Sequence, residues 1–314
     1  MTLQSAQPDA AQRLAGVVVP TLTPMDARGE CLATAGVASL AGELVEAGVS
    51  ALFLAGTTGE SALLTSDELK LLTQETVQAI SGHVPVAVQV GANSTAATLA
   101  QAELALTAGA DIIVAVTPYY FGHNDDELFK HYSSLALALS GTPIYVYSIP
   151  SRAGNTISAS LAARLAEVSN IVGMKDSSGS VPLVLELLET PLDILVGNDL
   201  AALVSLRAGA KGIVSGPANV FPEPYVALYK AQQAGDAVTA LAMQDAIVAI
   251  SHHVGHGGRM DVLKSLADLR WGGLGGMRLP HQTLDLDERE HIVDALYRTL
   301  GQTSLPTSAY NWLM

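Results

Sequence analysis

Short runs rich in valine and isoleucine recur along the chain at residues 16–20, 51–54, 84–90, 111–117, 143–149, 171–175, 193–196 and 212–215. Each is bounded by Gly, Pro, Asn or Ser. These eight runs are apolar at successive positions instead of alternating, the pattern of strands covered on both faces. Between them leucine and alanine return at helical spacing, as in 66–81 and 95–107. Asp67 and Glu68 follow Ser66 in a first turn, while Asn93-Ser94 and Ser158 stand where later helices need caps. Alternating strand and helix predicts parallel pairing through crossover helices.

Two architectures fit that alternation, a doubly wound open sheet and a closed eight-stranded barrel. No G-x-G-x-x-G follows the first strand; Thr21-Leu-Thr-Pro24 stands there instead, so the dinucleotide fold loses its main support. The strands also recur without a long break between halves. The pattern therefore predicts an α/β fold, a (β/α)8 TIM barrel over 16–235 with a small helical extension packed on it over 236–302. Residues 1–15 and 303–314 read as tails, the second one frayed. Nothing resembles a linker or a low-complexity segment, so no independent domains are expected.

Charge and composition narrow the class. Sixteen Lys and Arg against 30 Asp and Glu give a net charge of −14, which argues against a phosphate-backbone binder and a polybasic membrane-surface protein. At 49% hydrophobic and 15% charged, the chain is too apolar for disorder and too poor in charge for a coiled coil. A single cysteine, Cys31, cannot form an internal disulfide, so nothing points to an oxidising compartment. The first sixteen residues are mixed and polar, and no run of 18 apolar residues exists. A cytoplasmic, enzyme-sized protein is expected.

In such a barrel, chemistry sits at the C-terminal ends of the strands. Lys175, in Ile171-Val-Gly-Met-Lys-Asp-Ser-Ser-Gly179, is the only one of six lysines inside an apolar strand. Removing an ammonium from water favours the neutral amine, which can attack a carbonyl and form a Schiff base. The plainer alternative is a stem packed in the wall with Asp176 neutralising its head, and strand context leaves both open. Lys211 precedes its strand and belongs to the opposite end. Gly56-Thr-Thr-Gly-Glu-Ser61 follows the second strand; its glycines, hydroxyls and amides suit a carboxylate or an oxyanion, or else form an ordinary turn. Thr117-Pro-Tyr-Tyr120 and Tyr147-Ser-Ile-Pro-Ser-Arg-Ala-Gly154 put tyrosines at strand ends, as proton shuttles or as rim aromatics. Arg152 offers a planar fork for a carboxylate, or a surface ion pair of little weight. His252-His253-Val-Gly-His256 reads as a helix ending, with a zinc site as the lesser alternative. Gly272-Gly-Leu-Gly-Gly276 follows no strand and makes a poor phosphate loop, and Cys31 reads as structural.

With these strand ends in place, the chain resembles the dihydrodipicolinate synthase/N-acetylneuraminate lyase family of class I aldolases from residue 16 to about 300. The matching pieces are Pro20-Thr-Leu-Thr-Pro24, Gly56-Thr-Thr-Gly-Glu-Ser61, Thr117-Pro-Tyr-Tyr120, Tyr147-Ser-Ile-Pro150, Gly173-Met-Lys-Asp-Ser-Ser178 and Gly197-Asn-Asp199, with Lys264-Ser-Leu and Arg278-Leu-Pro280 behind them. The resemblance implies that Lys175 forms an imine with pyruvate or a related 2-keto acid and that Tyr147 relays protons. Thr57 and Thr58 would hold the carboxylate, and one of them would link Tyr147 to Tyr120, lent across a dimer interface. Gly197 and Val214 would line the substrate pocket. No metal or organic cofactor is implied, and the partners would be a 2-keto acid, an aldehyde and further copies of the chain, as a dimer or a dimer of dimers.

Departures bear on the substrate. Ser148 and Ala153 replace the Asn and Thr usual in synthases, whereas Arg152 matches the synthase arginine. Val214-Ser-Gly-Pro-Ala-Asn-Val-Phe-Pro222 looks more like the sugar-acid aldolases. The expected activity is dihydrodipicolinate synthase-like condensation of pyruvate with an aldehyde such as aspartate semialdehyde. The alternatives are a 2-keto-3-deoxy sugar-acid aldolase or dehydratase and, in another class, a catalytically silent metabolite sensor. Leu69 and Ala97 stand where lysine-sensitive members carry His and Glu, although Asn93 and Tyr119 remain, so the resemblance implies no useful inhibition by lysine.

Overall fold

The computed structural model describes residues 13–314. Eight strands, β1 (Gly16–Pro20), β2 (Ala51–Leu54), β3 (Val86–Gln89), β4 (Ile112–Val116), β5 (Ile144–Ser148), β6 (Ile171–Asp176), β7 (Asp193–Val196) and β8 (Gly212–Val214), pair in parallel in chain order. The β1–β8 pairing closes the barrel, with Gly16 opposite Gly212. Every expected strand is present, three with the expected bounds and five trimmed or extended by a residue or two.

The unbroken apolar runs have a geometric cause. Alternate side chains of one strand point into the barrel and out to the helices, and both layers must be dry. Val18, Phe53, Val114, Tyr145 and Leu195 fill the interior, while Val17, Val19, Leu52, Val88 and Val146 face the outer shell. Gly173 completes the fit inside. A methyl group there would lie 2.1 Å from the Tyr145 ring, so the bulky tyrosine on β5 requires glycine on β6.

The outer shell comprises α1 (Thr34–Glu46), α2 (Ser66–Ile80), α3 (Thr95–Thr107), α4 (Asp125–Ala138), the one-turn α5 (Pro150–Ala153), α6 (Ala159–Leu165), α7 (Val181–Leu188), α8 (Ala202–Ala208) and α9 (Pro222–Ala234). Ser94 and Ser158 cap α3 and α6 as their positions suggest. The cap of α2 is Thr65, not Ser66: Thr65 and Glu68 exchange side-chain-to-backbone bonds in a capping box.

Beyond the barrel, α10 (Ala237–His253), α11 (Met260–Trp271) and α12 (Leu286–Leu300) form the helical extension. The glycine run 272–276 lies against the β1–α1 loop, with Met25 donating to the Leu274 carbonyl and Gly276 to that of Asp26. A Cβ on Gly275 would sit 2.0 Å from the Met25 carbonyl, so close backbone approach explains these glycines. Arg278 then grips the β2–α2 connection, reaching both Glu68 oxygens at 2.6 Å and the Leu63 carbonyl at 3.1 Å.

Both expected tails need correction. Residues 1–12 lie outside the described residues, but Leu14 is buried under the barrel and donates its amide to the Tyr145 hydroxyl at 2.8 Å. Arg13 pairs with Asp193 at 2.8 Å. At the other end, Leu305, Tyr310 and Leu313 are buried, and Trp312 packs on Phe221 with ring centres 5.3 Å apart. Apolar surface holds these last residues down. Among the described residues no helix is long and apolar enough to cross a membrane.

Candidate active site

Register brings the two principal candidates together. Tyr147 on β5 lies directly opposite Lys175 on β6, and both point into the barrel near its C-terminal mouth. Lys175 is only 6% exposed, with its Nζ 4.0 Å from the centre of the Tyr147 ring and 4.9 Å from that of Phe53. Asp176 cannot neutralise it, because successive strand residues face opposite sides. Its carboxylate instead accepts from the Ser178 hydroxyl at 2.8 Å, and burial raises its pKa. Among the described residues no carboxylate pairs with Lys175. Asp176 is therefore not its counter-ion.

The β2 loop supplies the next groups. The Thr57 and Tyr147 hydroxyls hydrogen-bond at 3.2 Å. Ala55 and Glu60 bracket this loop in left-handed conformations, φ 50° and 58°, which non-glycine residues adopt only when their surroundings hold them there. Thr23 ties the loop to β1 by donating to the Gly59 carbonyl at 2.7 Å, and Gly59 leaves room for the Thr21 carbonyl.

A cavity of about 220 Å³ collects Lys175, Tyr147, Thr57, Thr58, Arg152, Gly197 and Val214 around one space. Gly197 leaves room there for the Ser177 hydroxyl, which would lie 2.2 Å from a Cβ at that position. Arg152 rides on α5, whose first-turn Pro150 fixes the turn out of β5. It is exposed and, among the described residues, pairs with no carboxylate, so the surface ion pair is absent. A neighbouring cavity of about 260 Å³ shares Thr57 and Arg152 and adds Glu60, Gln89, Tyr119 and His281. Tyr120 is not part of either cavity. It has a φ of 79°, is 86% exposed and packs edge-on against Phe121 at 5.0 Å.

Several groups at this end escaped the sequence reading. Asp199 is buried beside the Tyr225 hydroxyl at 3.1 Å and the Ser251 hydroxyl at 3.4 Å, and burial pushes its carboxyl up to about 6 against those hydrogen bonds. It lines the Lys175 cavity together with Ser215 and His256. The helix ending at His252-His253 is found, with His253 bonded to Thr299 at 2.9 Å. His256, however, turns toward the cavity through a left-handed residue between two positive-φ glycines, a signal the motif carried. No group of three or more His, Cys, Asp or Glu stands together for a metal among the described residues. Cys31 is exposed. Leu69 is buried in the core and Ala97 is exposed.

Lys264 is a second buried lysine, invisible as such in the sequence because it lies on a helix. Its Nζ is 3.0 Å from Glu60 Oε1, and the side chains are 1% and 0% exposed. Burial lowers the lysine pKa, and the Glu60 carboxylate opposes that shift. His281 Nδ1 lies 3.4 Å from the other Glu60 oxygen.

Comparison with known proteins agrees with this geometry. The Dihydrodipicolinate synthetase family profile matches residues 13–299. The chain is 39% identical to an uncharacterized DapA-like lyase of Halobacterium salinarum over 278 residues, 88% of this chain and 91% of that one. It is 32% identical to a 4-hydroxy-tetrahydrodipicolinate synthase of Methanospirillum hungatei over 288 residues, 90% of this chain and 98% of that one. The dihydrodipicolinate synthase of Acinetobacter baumannii, solved with pyruvate, superposes with a TM-score of 0.85 at 28% identity, covering 92% of this chain and 99% of that one. With its barrel, strand-end motifs and nearly full-length match, this chain belongs to the dihydrodipicolinate synthetase family.

Proposed function

We propose that the protein is a pyruvate-dependent Schiff-base lyase of dihydrodipicolinate synthase type. One observation carries the reading: a buried lysine that pairs with no carboxylate among the described residues, side by side with a tyrosine whose hydroxyl is bonded to Thr57. Lys175 Nζ attacks the keto carbon of pyruvate, a C–N bond forms, and the keto oxygen departs as water. The two protons that this oxygen takes up come from the amine nitrogen, and Tyr147 relays them. The imine then withdraws electrons from the adjacent methyl group, which loses a proton to give an enamine. That enamine attacks the carbonyl carbon of an aldehyde, forming the new carbon–carbon bond, and hydrolysis returns Lys175. Thr57 and Thr58, on a loop fixed from several sides, hold the pyruvate carboxylate. The chemistry calls on side chains alone. The pyruvate complex of the Acinetobacter synthase supports the choice of keto acid.

Borohydride reduction in the presence of pyruvate tests this directly. A peptide containing Lys175 should gain the mass of pyruvate less water plus two hydrogens. An unmodified protein, or a label on another lysine, would sink the reading and leave the metabolite sensor.

For the aldehyde partner, Arg152 favours a substrate with a second carboxylate, as in aspartate semialdehyde. The polar wall of Asp199, Ser215 and His256 favours a hydroxylated 2-keto-3-deoxy sugar acid instead. Arg152→Ala separates the two. Loss of a charge-assisted contact should raise KM for aspartate semialdehyde by roughly tenfold to a hundredfold and leave pyruvate nearly untouched. If aspartate semialdehyde is inert and glyceraldehyde-type aldehydes react, the sugar-acid substrate takes its place. Tyr120, exposed in one chain, is assigned to the proton relay of a second copy; sedimentation showing an active monomer would remove that role.

A further inference from the structure

The Glu60–Lys264 pair is assigned no part in the chemistry, yet it is the most deeply buried ion pair among the described residues. Burying two charges in a barrel enzyme calls for an account, because a pair of apolar residues of similar volume would often be as stable. Its location supplies one. Glu60 ends the β2 loop two residues after Thr58, in the left-handed conformation that brackets the loop, and its amide donates back to the Thr57 carbonyl at 3.1 Å. Lys264 projects from α11, and its neighbour Leu263 comes within 3.3 Å of where a Cβ on Gly216 would be, the same point that Thr58 Oγ1 approaches at 3.1 Å. His281 closes the third side of Glu60 from the segment whose Arg278 grips Leu63 and Glu68.

We propose that Glu60 and Lys264 are positioning residues that hold Thr57 and Thr58 at the height where Thr57 meets Tyr147, so that the helical extension sets the carboxylate clamp of the barrel. The proposal rests on the Schiff-base reading above. It assigns no contact with substrate to either residue. A charged pair suits this task better than an apolar one because its optimum is narrow in distance and direction, which fixes the loop at one level. Lys264→Met should free the loop while nearly preserving side-chain volume, and Glu60→Gln should do so more mildly while keeping a hydrogen bond.

The test is the pyruvate concentration that half-saturates borohydride trapping on Lys175, measured below the unfolding midpoint of each variant. Lys264→Met should raise it about tenfold or more, and Glu60→Gln by a smaller factor. The second readout is coupling. If Lys264 acts through Thr57 and Tyr147, then adding Tyr147→Phe to Lys264→Met should slow turnover by clearly less than the product of the two single effects. A pair that is only structural would lower the unfolding midpoint, leave half-saturation within twofold and give multiplicative rates, and that result overturns the proposal. Should Lys264→Met fail to fold, Glu60→Gln alone decides on the same two readouts. Absence of any Lys175 adduct in the wild type overturns the Schiff-base reading, and the positioning role with it. A wild-type adduct with unchanged half-saturation in the variants overturns the positioning role alone.

Discussion

Lys175→Ala is expected to lower turnover with pyruvate by at least about 10⁴-fold, because the covalent route disappears along with the strand-borne amine of the cavity. The barrel should survive the change. Lys175 makes no ion pair among the described residues, so its removal strands no opposite charge. Its stem is buried, and the void left by truncation works against stability, while loss of a desolvated amine works in favour. The net shift in unfolding free energy should stay below roughly 2 kcal/mol in a denaturant titration. Residual turnover near the wild-type rate in a folded variant would rule out Lys175 as the nucleophile.

Tyr147→Phe should slow turnover by roughly 10²- to 10⁴-fold, the usual range for a lost acid–base group. The substitution removes a hydroxyl and little else. The ring that faces Lys175 at 4.0 Å stays, as does its edge-on packing against Phe53 at 6.2 Å. Lys175 should therefore still be labelled by pyruvate and borohydride, but more slowly. Steady-state rates equal to those of the wild type would place the proton relay elsewhere. A variant that is neither active nor labelled, though folded, would mean that the hydroxyl organises binding instead of moving protons.

The sequence reveals this barrel readily because strands dry on both faces leave an unmistakable run of branched apolar residues. Lys175 stands out for the same reason, although the strand alone leaves open a stem packed in the wall with Asp176 at its head. The alternatives for it could be separated only by register, which places Tyr147 beside it and turns Asp176 away. Groups that arrive from remote helices are a different matter. Nothing local to Glu60 announces Lys264, and the glycines flanking His256 advertise an unusual turn without saying what it faces. The packing of the described ends is hard to see in the sequence because Gln302-Thr-Ser and Pro306-Thr-Ser look like turn and solvent composition. The few apolar residues among them, and Leu14 at the other end, act through partners distant in the chain.

The distance between Glu60 and Lys264 along the polypeptide is 204 residues. At a synthesis speed of about 5–20 residues per second, the β2 loop leaves the ribosome roughly 10 to 40 s before its counter-charge exists. During that interval the nascent chain has most of its barrel strands but carries a carboxylate that must remain hydrated. The loop cannot close over it. On the positioning role proposed above, the β2 loop would reach its working height only after α11 has been made.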